Sequence, residues 1–262
     1  MNAGEAIHIT SRDNALFKEL HRLAQDNTAY RKQGRVWLEG DHLCRAAMTR
    51  GVRPAIAIFS ESFWPLAPTE WIQAAIKNVV MADSLLVSVS ALESPSRMAF
   101  VIDLPPAPAL LPGAASVILD GVQDAGNVGS ILRSAAAFGF GQIIALKGTA
   151  ALWSPKVLRA GMGAHFALRL IERIEQQALD ALTIPIVVTS SHVGSALHEQ
   201  ILPMPCAWVL GHEGQGVSAP LMARASLSVR IDQPGGEESL NVAAAAAICL
   251  HASAVACAAG AR

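Results

Sequence analysis

The chain has 262 residues, of which 52% are hydrophobic and 16% are charged, and its formal net charge is −1. This composition excludes an intrinsically disordered chain, and the length favours two domains over one. The overall charge gives no sign of a nucleic-acid partner, but residues 1–53 hold nine Lys and Arg against six Asp and Glu. This local excess indicates either a basic surface that meets phosphates or an ordinary solvated helical surface.

The cysteines and the N-terminus predict a cytoplasmic protein without a structural metal. The four cysteines are scattered, with no C-x-x-C pair and no Cys/His cluster at zinc spacing. Free thiols in a reducing compartment are the simplest explanation. The eight histidines form no spaced metal pair either. Residues 1–5 have neither a basic start nor an apolar run, so no signal peptide is predicted.

Strand and helix patterns alternate over the first hundred residues. An extended segment at 8–10 precedes an amphipathic helix over Asn14–Gln25, which places Phe17 and Leu20 on one apolar face. An apolar segment at 36–38 then precedes a helix through Met48, and the later predicted elements are strand 55–59, helix 69–77, strand 78–82 and strand 99–103. Four prolines between Pro105 and Pro112 then predict a stiff linker. We therefore predict a smaller α/β domain at 1–104 and a linker at 105–113.

After the linker, residues 114–262 predict a second α/β domain. Its predicted strands are 116–119, 142–146, 166–170, 185–189, 206–210 and 226–231, and its predicted helices are 129–138, 155–161, 172–181, 218–224 and 239–258. Short apolar strands between helices predict a mostly parallel sheet with helices on both faces. The apolar stretch 242–259 is rich in alanine, contains His251 and lacks aromatic anchors. We expect it to be a buried or interface helix and not a membrane span.

Three polar, glycine-containing loops follow strand patterns in this second domain. They read LDGVQDAGNVGSILR at 119–133, WVLGHEGQGVS at 208–218 and GGEESLNVA at 235–243. The carboxyl ends of parallel strands and the N-termini of helices both favour polar ligands. None of the loops carries G-x-x-x-x-G-K-[ST] or G-x-G-x-x-G, so an NTPase and a nucleotide dehydrogenase are disfavoured. Ser239 is the predicted N-cap of the last helix, and Asn127 lies just before predicted helix 129–138.

In order and spacing, these loops resemble the three signature motifs of the SpoU branch of the SPOUT RNA methyltransferases. The resemblance covers Asp120–Arg133, Leu210–Gly216 and Ile231–Val242, and Lys156–Ala164 is similar to the family's stretch after the first motif. It implies that 114–262 form a deep trefoil-knotted, mostly parallel α/β domain. The implied activity is transfer of a methyl group from S-adenosylmethionine to a ribose 2′-hydroxyl of structured RNA. A homodimer formed through the knot and the C-terminal helix is also implied.

Residues 1–104 resemble, more weakly, the substrate-binding domain that often precedes this methyltransferase domain. The similar positions are Ile9–Ser11, Asn14 and Leu38–Gly40, whereas Ser96–Met98 stand where the family usually has a glycine. Because this type of domain is similar to certain ribosomal RNA-binding proteins, ribosomal RNA is the expected substrate. The alternatives are a transfer RNA 2′-O-methyltransferase, a non-catalytic RNA-binding protein that keeps the fold, and a small-molecule methyltransferase.

The resemblance also implies a cofactor site for S-adenosylmethionine. Backbone groups of five residues would hold the adenine and ribose of the cofactor: Thr189, Leu210, Gly211, Ile231 and Leu240. Asn241 and Val242 would lie alongside. Gly211 is expected to be glycine because the chain must turn sharply and let the ligand touch its backbone. Taken alone, it would be an ordinary turn glycine.

The implied catalytic residues are Asn127, Arg133, Glu213, Ser239 and Asn241. Arg133 is either a general base that has lost a proton, or a phosphate clamp that stabilises the emerging alkoxide. A guanidinium is effectively always charged, which favours the clamp. Asn127 would position the ribose or Arg133, and Glu213 would orient either of these two residues. Ser239 and Asn241 would lie beside the sulfonium and the hydroxyl.

Each of these residues also has a plain structural interpretation. Asn127, Ser239 and Asn241 suit helix caps, and Glu213 suits a solvated loop carboxylate. Arg133 alone would be a cation on the surface of a helix. Lys156 and Arg159 are equally well explained as phosphate contacts or as surface cations of a helix.

Overall fold

The computed structural model describes residues 6–92, 94–190, 194–235 and 239–260, without the side chains of 259 and 260. Part of the third motif, Gly236–Glu238, lies outside the described residues. The chain divides into two compact units, one of Met1–Pro106 with Trp153–Phe166 and one of Ala107–Leu152 with Ala167–Arg262. The segment at 153–166, which the sequence groups with 114–262, therefore packs as part of the first unit. The division of roles between 1–104, 105–113 and 114–262 stays a prediction.

The secondary structure alternates between strands and helices along both units. The described strands are β1 (Ala6–Ile9), β2 (Arg35–Glu39), β3 (Ile56–Ser60), β4 (Lys77–Met81), β5 (Met98–Asp103), β6 (Ser116–Asp120), β7 (Gln142–Leu146), β8 (Arg169–Ile174), β9 (Ile186–Thr189), β10 (Ser195–Ala196), β11 (Ala207–Gly211) and β12 (Leu227–Arg230). The described α-helices are α1 (Ala15–Gln25), α2 (Ala29–Gln33), α3 (Asp41–Thr49), α4 (Thr69–Ala74), α5 (Asp83–Val89), α6 (Ala125–Ala137), α7 (Pro155–Gly161), α8 (Ala219–Ala223) and α9 (Val242–Gly260).

The first unit is built on a five-stranded mixed sheet in the order β1-β4-β3-β5-β2. Strands β1 and β3 run parallel to β4, whereas β5 is antiparallel to both β2 and β3. Helix α1 begins where the Asn14 side chain accepts hydrogen bonds from the backbone N–H groups of Leu16 and Phe17. Phe17, Leu20 and other apolar residues of α1 are buried in the core of this unit, which confirms the predicted amphipathic helix.

Helix α5 was not predicted from the sequence. Its seven residues, DSLLVSV, contain two serines and two valines, which have modest helix propensity. The helix forms because Leu85, Leu86 and Val89 share one face and bury it in the core of the first unit. Tertiary packing therefore outweighs local propensity in this segment.

The second unit is built on a seven-stranded sheet in the order β10-β12-β9-β11-β6-β7-β8, and every pair of neighbours is parallel. The predicted mostly parallel α/β fold is therefore confirmed, while the trefoil knot stays a prediction. Central strands such as β6 bury continuous apolar runs, including Val117, Ile118 and Leu119. Helix α9 packs on β11 through a buried hydrogen bond that Trp208 Nε1 donates to Ser253 Oγ at 2.9 Å.

Three helix predictions are wrong, two in the residue at which the helix begins and one in the existence of the helix. Helix α6 begins at Ala125 and not at 129, because the Asp124 side chain accepts from the backbone N–H of Asn127 and caps the helix earlier. Helix α9 begins at 242 and not at 239. The predicted helix 172–181 is replaced by the end of β8 and a 3₁₀ turn over Gln176–Ala181. A register shift in the β7–β8 pairing accompanies the left-handed backbone of Arg173, φ 58°.

Candidate active site

A cavity of about 550 Å³ opens at the carboxyl ends of three neighbouring strands of the second unit, β9, β11 and β12. The strand ends, the second motif and the start of α9 contribute its walls. Six of the seven predicted cofactor residues line it: Thr189, Gly211, Ile231, Leu240, Asn241 and Val242. The seventh, Leu210, lies just outside the lining, with its side chain 1% exposed inside β11. The structure thus brings residues that are up to 53 positions apart to one place, as the parallel sheet requires.

The backbone of Gly211 lies against the far side of its own loop. A Cβ atom at this position would lie only 2.1 Å from the carbonyl carbon of Gly216 and 2.2 Å from the backbone nitrogen of Val217. The loop is closed by two backbone hydrogen bonds between His212 and Gly216, at 3.0 and 2.8 Å. Contact with the loop backbone is therefore by itself enough to require a glycine at this position, and the expected contact with a ligand stays a prediction.

Glu213 joins the second motif to the first. Its carboxylate accepts hydrogen bonds from the backbone N–H groups of Gln123 and Asp124, at 3.2 and 3.0 Å. It also accepts from the side-chain amide of Asn127, at 3.1 Å. A second connection between the two motifs runs from the backbone N–H of Ser218 to the Asp120 carboxylate, at 2.8 Å. The Glu213 carboxylate therefore links the two motifs through three accepted hydrogen bonds, and its predicted role of orienting Asn127 stays a prediction.

Partial burial of the Glu213 carboxylate would by itself raise its pKa, but the hydrogen bonds outweigh this effect. The donors are the Asn127 side chain and the backbone N–H groups of Asp124, Glu213 itself and Gln123. Together they lower the pKa of Glu213 from 4.5 to about 2. The carboxylate is consequently ionised throughout the physiological range and acts as an acceptor, not as a proton donor.

The lowered pKa of Glu213 predicts a pH-dependent contribution to stability. A group whose pKa is lower in the folded protein stabilises it above its unfolded pKa, and this contribution is lost as the pH falls from about 4.5 towards 2. Because Glu213 is exposed, we expect a contribution of only about 1 kcal/mol. Denaturant unfolding of wild type and Glu213→Gln should give a difference in unfolding free energy that shrinks with acidification. Glu61→Gln, at an exposed carboxylate in the first unit, is the control, and an equal pH response of the two variants would contradict the prediction.

Asn241 connects the start of α9 to the same network. Its side-chain oxygen accepts from the backbone N–H groups of Ala243 and Ala244, at 2.9 and 3.2 Å, so Asn241 caps the helix. Its side-chain NH₂ group donates to the Asn127 side-chain oxygen at 2.9 Å. The cap predicted at Ser239 is wrong, because Asn241 satisfies these donors. Ser239 instead lies exposed on the cavity wall.

The structure brings together four of the five predicted catalytic residues, and it places the fifth apart from them. Asn127, Glu213 and Asn241 form a continuous hydrogen-bonded chain, and Ser239 shares the cavity wall with the last two. Arg133 is an exposed residue in the third turn of α6. Among the described residues its guanidinium makes no hydrogen bond or ion pair and does not line the cavity. Arg133 is therefore free to contact a bound substrate.

Two residues that the motif reasoning missed contribute to this region. Asp120 holds the second motif against the first, as described above, and its position directly after a buried strand was a usable signal. Gln233 lines the cavity, and its buried side-chain oxygen has no hydrogen-bond partner among the described residues. A buried acceptor without a donor is uncommon in folded proteins, so it points to a donor supplied by a ligand.

Comparison with known families decides what kind of protein this is. Residues 114–251, more than half of the chain, match the model of the SpoU rRNA Methylase family. The chain belongs to this family. The predicted SpoU membership is therefore confirmed, while the individual roles of the predicted site residues stay predictions.

Three relatives match this SpoU-family chain over most of their own length. The 23S rRNA (guanosine(2553)-2′-O)-methyltransferase of Bacillus subtilis is 29% identical over 218 residues, which cover 82% of this chain and 86% of the relative. A solved RNA 2′-O ribose methyltransferase is 29% identical with a TM-score of 0.80, covering 96% of this chain and 100% of that one. The SpoU methyltransferase AviRb from Streptomyces viridochromogenes, solved with AdoMet, has the same fold, with a TM-score of 0.84 at 22% identity over 92% of this chain and 97% of that one.

Within 6–92, 94–190, 194–235 and 239–260, no helix has the length and apolar character needed to cross a membrane. In the same ranges, His, Cys, Asp and Glu form no group of three or more that could hold a metal ion.

Proposed function

We propose that this protein transfers a methyl group from S-adenosylmethionine to a ribose 2′-hydroxyl of structured RNA, with ribosomal RNA as the favoured substrate. The observation that carries the proposal is the meeting of the three SpoU motifs at one site, joined by the Asn241–Asn127–Glu213 hydrogen bonds beside a cavity at the strand ends. Two of the relatives, the Bacillus subtilis enzyme and the solved RNA 2′-O ribose methyltransferase, act on RNA riboses according to their names, and the former acts on 23S rRNA.

The cavity suits S-adenosylmethionine in size and in lining. Its volume of about 550 Å³ lies in the range of small-molecule sites. Apolar walls from Val217, Met222, Ile231 and Leu240 can face a flat base, and the buried oxygen of Gln233 can accept a hydrogen bond from an amino or hydroxyl group. The other proposed contacts are those of the resemblance: Thr189, Leu210, Gly211, Asn241 and Val242. When bound, the cofactor supplies an electrophilic methyl group on a sulfonium.

The buried Gln233 oxygen gives a prediction about cofactor affinity. Gln233→Met keeps the side-chain volume but removes the acceptor, so a donor on the cofactor would lose its partner. We expect the dissociation constant for S-adenosylmethionine, measured by calorimetry, to rise about tenfold, the effect of one lost hydrogen bond. Gln233→Glu, which keeps an acceptor at the same place, should bind more tightly than the methionine variant. Equal binding by wild type and Gln233→Met would contradict this role.

The remaining residues of the site act on the ribose. Glu213, ionised at neutral pH, holds Asn127, and Asn127 and Asn241 hold one another in position. We assign to this pair and to Ser239 the placement of the ribose hydroxyl beside the methyl group, since positioning alone can lower the barrier by several kcal/mol. Arg133 would bind the adjacent phosphate and stabilise the oxygen as it loses its proton.

The proposed substrate is tested by methyl transfer to total RNA. The protein is incubated with methyl-labelled S-adenosylmethionine and RNA from a strain that lacks the protein, and the RNA species are then separated. We expect label in one ribosomal RNA. Label only in transfer RNA would move the protein to the other substrate class. No label in any RNA, with cofactor binding intact, would identify a non-catalytic RNA-binding protein and contradict the proposal.

We further propose a cytoplasmic homodimer in which the knot and α9 form the interface. Helix α9 exposes Ile248 and Val255, which lie seven residues apart on one side, at 41% and 53% exposure. Its buried side, which includes Ala246 and Cys249, is already used within the chain. Free thiols at all four cysteines suit a reducing compartment. Sedimentation velocity of wild type and Ile248→Asp tests this assembly, since a monomeric wild type would contradict it.

The first unit would bind the RNA in this scheme, as the resemblance of residues 1–104 implies. Removal of residues 1–104 would separate an RNA methyltransferase from a small-molecule methyltransferase, because only the former should lose activity while it still binds the cofactor.

A further inference from the structure

A second cavity, which we call the α7 cavity, lies within the first unit and is lined by α7 and by residues from 24 to 92. Its volume is about 170 Å³. The floor is apolar, with Trp37 and Leu43 buried at 2% and 6% exposure and Leu92 half-buried. The rim carries Lys156 and Arg159 of α7. None of the three methyltransferase motifs contributes to this cavity.

Helix α7 is firmly packed, so the cavity is a built feature of the first unit. The Ser154 hydroxyl accepts from the backbone N–H of Val157 and caps the helix, and Val157 and Leu158 are fully buried. Just beyond α7, the chain passes so close to α3 that a Cβ at Gly163 would lie 2.4 Å from the Cβ of Ala46. The positive φ of Gly163, 88°, also requires a glycine. The packing of α7 and the close approach at Gly163 hold the backbone of this helix, which carries Lys156 and Arg159 at the rim of the cavity.

The two rim cations have no neutralising partner among the described residues. Lys156 and Arg159 lie one turn apart, both are exposed, and neither makes a hydrogen bond or an ion pair within 4 Å in the described ranges. Among the described residues that line the cavity, the carboxylate is that of Glu39. Its oxygens already accept from Ser90 Oγ and from Trp37 Nε1, which hold it towards the protein. The rim therefore presents two adjacent positive charges, spaced to meet backbone phosphates.

We propose that the α7 cavity binds one unpaired nucleotide of the RNA substrate. Lys156 and Arg159 contact its phosphates, and a pyrimidine-sized base enters the apolar cavity. A cavity of about 150 Å³ holds one benzene ring, so this volume suits one six-membered ring. Glu39, fixed by its two donors, keeps free lone pairs that accept from the N–H groups on the edge of a pyrimidine. The inference rests on the proposed function, because it takes RNA as the partner.

Binding measurements on the full chain, without cofactor, test the two parts of this site separately. The probes are a labelled oligouridylate of about 12 nucleotides and the same oligonucleotide with abasic sugars in place of the uridines. Their dissociation constants are measured by fluorescence anisotropy between about 50 mM and 200 mM salt. Wild type should bind the oligouridylate at least about fivefold more tightly than the abasic probe, since one base stacked or buried is worth that much or more.

The double variant Lys156→Ala/Arg159→Ala removes the phosphate contacts. It should weaken binding of both probes and lower the slope of log K against log salt by about 1.4, which is about 0.7 for each lost contact with a single strand. The control is Lys77→Ala, which removes one exposed charge of the same unit from outside both the cavity and the basic segment 1–53. A double variant whose salt slope equals that of wild type would overturn the phosphate contacts.

The variant Ala91→Phe fills the cavity from its exposed rim and leaves both cations in place. It should bind the two probes equally well, with the salt slope of wild type. Equal binding of the probes by wild type, or a preserved preference in Ala91→Phe, would overturn the base site. These binding outcomes are independent of catalysis. If the protein transfers no methyl group but shows the predicted changes in probe affinity and salt slope, only the proposed function is contradicted. If it is active but shows no such changes, only the nucleotide site is contradicted.

Discussion

Replacing Arg133 by alanine should lower the rate of methyl transfer to RNA by about 100- to 1,000-fold, the usual loss when one transition-state donor is removed. Cofactor affinity and thermal stability should not change. Arg133 is exposed, makes no side-chain hydrogen bond or ion pair among the described residues and lies outside the cofactor cavity. The described contacts therefore give Arg133 no structural role, so a loss of activity in the variant would reflect a lost contact with the substrate.

The lysine variant separates two roles of the guanidinium. Arg133→Lys keeps the charge but loses the planar fork that binds a phosphate in bidentate fashion. We expect an intermediate rate, with the same pH dependence as wild type, because a clamp needs no deprotonation. Near-normal rates across the pH range would contradict a specific guanidinium role. Arg173→Asn is the control: it removes an exposed cation from the same unit, and asparagine tolerates the left-handed backbone at that position.

Replacing Gly211 by alanine should damage the cofactor cavity severely. The added methyl group would lie within 2.3 Å of three backbone atoms of Gly216 and Val217, so the second motif loop must move. Displacing packed backbone costs about 1–3 kcal/mol, and the same loop lines the cavity and carries Glu213. We expect S-adenosylmethionine affinity to fall by about 10- to 100-fold and the melting temperature to decrease, as measured by calorimetry and thermal unfolding.

Gly214 of the same loop supplies a matched control for this substitution. A Cβ there would meet only the His212 ring, at an ordinary distance of 3.8 Å. Gly214→Ala should therefore bind the cofactor much as wild type does. If Gly211→Ala and Gly214→Ala bound equally well, the close backbone approach at Gly211 would not control the cavity.

The sequence predicted elements well where one local rule decided the outcome. The amphipathic pattern defined α1, and the apolar runs defined β6, β7 and β11 nearly to the residue. Starts of α6 and α9 were misplaced because several residues in each motif can cap a helix. At α6, Asp124 acts before Asn127, and at α9, Asn241 acts instead of Ser239. Asp124 is also bonded to Glu213, and Asn241 to Asn127, so the residue that caps each helix depends on contacts between distant parts of the chain. A local sequence pattern does not contain these contacts.

The candidate site was predictable in membership but not in its connections. Motif spacing brought Glu213, Asn127 and Asn241 to the strand ends, whereas their direct contacts depend on loop shapes that the sequence does not specify. The same limit applies to Gly211, whose neighbours are five and six residues further along its own loop. The position of α7 was also missed, because its buried face, Val157 and Leu158, would suit the core of either unit.

The measurement that tests the central claim most directly is the chemical position of the transferred methyl group. RNA labelled by the wild-type protein with methyl-labelled S-adenosylmethionine is hydrolysed in alkali, and the products are separated by size. A methyl group on the ribose oxygen blocks cleavage at that nucleotide, so label in alkali-resistant dinucleotides is the result we predict, with little or none from Arg133→Ala. Label released entirely in mononucleotides would place the methyl group on a base and contradict ribose 2′-O-methylation by this protein.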